Sequence, residues 1–173
     1  MSDRKKSILQ SIYDQLLIVL NYISVVLIFL TAIWIFGDVV GRFFFNQPIP
    51  GTTELVKTAI LPIVFLGAPY TLQKHGHIRT TVLVRRMSPV NASLFGIVSC
   101  IIGIAVFSLM SIYGWEAAVK SLAVREFEGV QLRVPTYPSR FIMVIGSVLL
   151  TVQFVINLVD NLKALRAGEG AES

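Results

Sequence analysis

The chain has 173 residues, 54% of them apolar and only 14% charged, with a formal net charge of +5 and a mean hydropathy of +0.73. Charged residues make up about 25% of ordinary soluble domains, so this balance excludes a soluble globular domain and points to an integral membrane protein. The positive charge does not indicate a nucleic-acid partner. The basic residues gather at the ends of apolar runs, where a membrane protein uses them for orientation, and form no single stripe.

Four uncharged runs stand out: Gln15–Gly37, Thr58–Gln73, Met87–Trp115 and Phe141–Val159. The hydrocarbon core of a bilayer takes about 20 residues of helix. The expected fold is therefore an all-α integral membrane four-helix protein with short interfacial helical segments. It is read as one domain over residues 1–173, with spans near 15–37, 52–73, 89–115 and 138–160. The N-terminus opens with Arg4, Lys5 and Lys6, but the apolar run starts late, is long and lacks a small-residue cleavage pattern, which predicts a retained span and not a removed signal peptide.

Ahead of the first span, Ile8, Leu9, Ile12 and Leu16 recur at helical spacing, which predicts an amphipathic lead-in on the membrane surface. The span ends in Asp38-Val-Val-Gly41-Arg42, where Asp38 and Arg42 are four apart and can pair on one face. Asn46-Gln-Pro48-Ile-Pro50-Gly51 predicts a tight turn, with Thr52 or Thr53 as the cap of the second span. Glu54 and Lys57 follow within one turn. The second run is short unless its span starts near Thr52, which draws this pair into the membrane end. Charge placed there is costly without a partner or water. Arg42 is the first candidate partner for Glu54 within the chain, Lys57 the second, and a group on another subunit the third. The plainer alternative is a solvated i,i+3 pair at the interface. Pro62 and Pro69 each remove a helical hydrogen bond, so a kink or local loosening is expected.

The loop Lys74–Pro89 mixes Arg79, Arg85 and Arg86 with Ile78, Val82 and Leu83, a pattern suited to resting on lipid headgroups. Ser88-Pro89 reads as an N-cap followed by proline at the first helical position. Gly96, Ser99 and Gly103 in the third span permit close helix approach. Glu116 and Lys120 carry that helix beyond the membrane. The segment on to Arg140 is the longest on its side and holds charges of both signs, Lys120, Arg125, Glu126, Glu128 and Arg133. Nine basic residues lie on the side of the termini and the middle loop, and six on the other, so the positive-inside rule places both termini in the cytoplasm.

No constellation for chemistry emerges. His75-Gly76-His77 lies at a span end with the histidines two apart, which suits a turn and not axial haem ligation or zinc. The single cysteine, Cys100, excludes an internal disulfide and a cysteine metal cluster. No catalytic residue, metal site or cofactor is expected. The spans hold few polar groups (Thr31, Thr58, Ser99, Ser108, Thr151, Gln153) and no string of them to guide a solute. The outline suits an accessory subunit. A four-helix anchor for an electron-transfer enzyme is the alternative, separable by a haem absorption spectrum.

Read in order, Arg42-Phe-Phe-Phe-Asn46, Pro48-Ile-Pro50-Gly51-Thr-Thr-Glu54-Leu, Val64-Phe-Leu-Gly67-Ala68 and Lys74-His75-Gly76-His77-Ile78 resemble the small, DctQ-like membrane subunit of tripartite ATP-independent periplasmic (TRAP) transporters. The resemblance implies a scaffold partner for a large many-span permease subunit (DctM-like), which carries the solute and sodium sites. It also implies a periplasmic solute-binding protein that delivers the solute, often a carboxylate, and makes Lys120, Arg125, Glu126, Glu128 and Arg133 candidate residues for docking it. Arg42, Pro50, Gly51, Glu54, Gly67, Gly76 and His77 would be its motif positions. Thr52-Thr53 stand where an aromatic often precedes the glutamate, and Arg79-Thr80 where an acid often follows the His-Ile pair.

Overall fold

The computed structural model describes residues 8–75, 89–129 and 133–169. Four helices dominate: α1 (Ile8–Phe45), α2 (Thr52–His75), α3 (Pro89–Ala123) and α4 (Tyr137–Glu169). All four are long and apolar enough to cross a membrane. Between α3 and α4 lies a small antiparallel ribbon of β1 (Phe127–Glu128) and β2 (Val134–Pro135).

The elements exceed the predicted spans at their ends. The expected lead-in around Ile8 and Ile12 is continuous with the first span, so α1 has 38 residues and a length of about 57 Å. Its Asn46 terminator takes a positive φ of 50°, which asparagine tolerates. Pro89 is the first residue of α3, as its missing N–H favours. The cap of α2 differs from expectation. Gly51, buried and at a φ of 85°, offers its carbonyl to Leu55 N–H at 3.0 Å, while the Thr52 hydroxyl turns back to donate to Ile49 at 3.0 Å. The turn needs a left-handed residue just before the helix, and only glycine provides it without strain.

The helices pack in the order α1, α2, α4, α3. The two inner members of this row, α2 and α4, run parallel. Gly146 on α4 is pressed against α2 so closely that a side chain there would meet the Phe65 carbonyl. On the other side of α4, Gly103 of α3 lies under the ring of Phe154, and that ring stacks on Phe107 at 5.7 Å. Small residues thus stand where two backbones or a backbone and a ring converge, the usual basis of helix association in lipid. α1 is held more lightly. Leu17, Ser24 and Asp38 are buried, Ser24 donates to α2, the Tyr13 hydroxyl donates to the Leu149 carbonyl of α4 at 3.1 Å, and Val26, Phe29, Ile33 and Phe36 on the other faces are exposed.

Candidate functional site

A linked set of polar contacts lies at the end of the molecule that holds the α1–α2 turn and the ribbon. Asp38 is 4% exposed although it sits on an apolar helix. One carboxylate oxygen accepts from the backbone N–H of Ile49 at 2.7 Å. The other accepts from Arg42 Nε at 2.9 Å, with a second guanidinium nitrogen at 2.8 Å. The carboxylate therefore fastens the turn to the helix that enters it. Arg42 itself is largely exposed, so its charge meets solvent while its fork holds Asp38.

The predicted partners of Glu54 are thus engaged elsewhere. Arg42 binds Asp38, its neighbour on the same helix face, and Lys57 leans toward Glu128 of the ribbon at 4.0 Å. The half-buried Glu54 carboxylate makes no ion pair or hydrogen bond among the described residues. It stands in the first turn of α2, where the helix dipole favours an acid. Pro50 is exposed at the turn. Gly67 lies where α1 and α2 touch: a Cβ there would come within 3.0 Å of Ser24 Oγ, which donates to the Ile63 carbonyl at 2.6 Å. Gly76, His77 and the basic loop of Arg79, Arg85 and Arg86 lie outside the described residues.

The ribbon segment is more ordered than a plain loop. α3 ends with two backbone bonds, Arg125 N–H to Leu122 at 3.1 Å and Glu126 N–H to Ser121 at 2.9 Å, around Arg125 at a φ of 47°. This is a left-handed helix stop that usually carries glycine. Glu126 then accepts from Arg140 at 3.0 Å, and Thr136 N–H donates back to the Glu126 carbonyl at 3.2 Å. Of the five docking candidates, Glu126 and Glu128 are therefore paired inside the chain with Arg140 and Lys57. Lys120, Arg125 and Arg133 are exposed and have no acidic partner among the described residues.

Sequence reasoning missed two features. Asp38 was visible as a helical partner for Arg42, but its hold on Ile49 depends on how the turn folds back. The ribbon has strands of two residues, too short for an alternating pattern, and its entry lacks the expected glycine.

Residues 31–164 match the family model described as tripartite ATP-independent periplasmic transporters, DctQ component. The chain belongs to the DctQ family. None of the curated proteins compared with it shows significant similarity. The matched region takes in the Asp38 clasp, Gly67, the ribbon and most of α4. The DctQ chain is thus a multi-pass membrane component of a TRAP transporter. Among the described residues no group of three or more potential metal ligands occurs.

Proposed function

We propose that this chain is the non-conducting scaffold subunit of its transporter. It pairs with a large DctM-like permease subunit in the bacterial inner membrane, with both termini cytoplasmic. The complex takes up a solute, a carboxylate by family resemblance, with sodium, from a periplasmic binding protein. The observation that carries this reading is the membership in the DctQ family. Two features support it. Several hydroxyls inside the spans are engaged on their own helix: Thr31, Ser111, Ser147 and Thr151 each donate to a carbonyl one turn back, so they form no row of free donors along a path. In addition, α1 and α3 expose wide apolar faces, suited to lipid or to a larger membrane partner.

The ribbon end is then periplasmic, and its uncompensated Lys120, Arg125 and Arg133 are placed to meet the binding protein. The test is uptake in proteoliposomes. The large subunit and binding protein are reconstituted with and without this chain, and this chain is reconstituted alone. Uptake is expected only with all three. Full uptake without this chain would end the scaffold claim, and uptake by this chain alone would end the non-conducting one.

A further inference from the structure

α1 and the α3–α4 pair stand on either side of α2, and between them runs an open trough of about 540 Å³ with α2 as its floor. Its walls are mostly apolar: Ile28 on α1, Phe107 on α3 and Phe154 on α4 are typical. Its floor is low because Gly67 and Ala68 carry little or no side chain. Three polar residues line it, and of these Ser24 and Thr71 donate to carbonyls of α2, while the third is out of keeping. Asn21 lines the trough, only partly covered, and its carboxamide makes no hydrogen bond among the described residues.

Asn21 lies well inside the first apolar run, six residues past Gln15, or about 9 Å along the helix. A carboxamide offers two donors and an acceptor with two lone pairs, and in a water-free layer it is costly unless met. A lipid acyl chain fills apolar space but has no group to give it. A neighbouring transmembrane helix has both the apolar surface for the walls and the polar side chain or carbonyl for Asn21. Low residues on the floor also let a helix backbone come close.

We propose that this trough seats a transmembrane helix of the large permease subunit, which forms an interhelical hydrogen bond with Asn21. The inference rests on the reading of the chain as a scaffold subunit, and it adds the face that does the pairing. The large subunit is tagged and purified in mild detergent with wild-type chain, with Asn21→Leu, and with a photo-crosslinking residue in place of Ala68 or, on the far side of α3, Leu109. Wild-type chain should co-purify. Asn21→Leu should lower the recovered chain about three- to twentyfold, the effect of one interhelical hydrogen bond, while its own thermal stability is kept. Light should join position 68, and not position 109, to the large subunit. Equal recovery of Asn21→Leu, or adducts from position 68 only with lipid or with a second copy of this chain, would overturn the trough as the pairing face and leave the scaffold reading standing. Failure of the wild-type chain to co-purify would overturn both.

Discussion

The hydroxyl of Ser139 donates to the backbone carbonyl of Thr58 at 2.9 Å, and that carbonyl is the one Pro62 leaves without a helical donor. One heptad further on, Pro69 leaves the Phe65 carbonyl open in the same way, and Gly146 of α4 packs directly against it. The prolines of α2 are seven residues apart, and so are Ser139 and Gly146. The two helices run parallel, so the register of one is set by the vacancies in the other. Pro62 thus leaves an acceptor that Ser139 of α4 meets, and Pro69 leaves one against which Gly146 packs.

Ser139→Ala should therefore destabilise the purified chain by about 1 kcal/mol, the order of one interhelical bond. In a Pro62→Ala background the residue at 62 regains an N–H for Thr58, and the same substitution should cost clearly less. A double-mutant cycle on thermal unfolding in detergent reads this directly. Additive losses would show that Ser139 acts elsewhere.

Asp38→Ala removes acceptors from both Ile49 and Arg42. A loss of about 2 kcal/mol is expected, since bonds to charged groups contribute about 1.5–3 kcal/mol each and Arg42 can turn to solvent. Asp38→Asn keeps an acceptor for Ile49 and should fall between wild type and alanine. Equal stability of all three chains would mean that the turn is held without this carboxylate.

Arg125 occupies a left-handed position at the end of α3. Arg125→Gly should leave stability unchanged or raise it. Arg125→Val, whose branched carbon is least tolerant of that backbone, should lower it by about 1–2 kcal/mol. A circular-dichroism melt of the two variants separates this backbone effect from any effect of charge, because both remove the guanidinium.

The exposed Lys120, Arg125 and Arg133 lead to a further expectation. Reversing Arg125 and Arg133 to glutamate should raise the binding-protein concentration that gives half-maximal uptake, and more so at low salt, where screening is weak. Unchanged dependence on both concentration and salt would assign recognition to the large subunit alone.

The sequence made the helices legible because apolar length is a direct signature of the bilayer. Pro89 and the Asn46–Gly51 turn were legible for a local reason: their backbone preferences act without help from the rest of the chain. Contacts that depend on which helices are neighbours were not. Nothing in the spacing of Ser139 or Gly146 says that α4 lies beside α2, and nothing around Lys57 announces Glu128, more than seventy residues away. The Gly67 position was found through family resemblance, and its reason, contact with Ser24, appears only in three dimensions.

The seam of α1 also bears on how the protein is made. Ser24 finds its acceptor on α2, and Asp38 reaches across the turn that leads into α2. While only the first helix has left the ribosome, these polar groups lack those partners, and their burial in lipid is correspondingly unfavourable. The turn and the second helix supply them within thirty residues of Asp38. The expected consequence is a two-helix step in biogenesis, in which α1 settles into the membrane as α2 arrives to complete it.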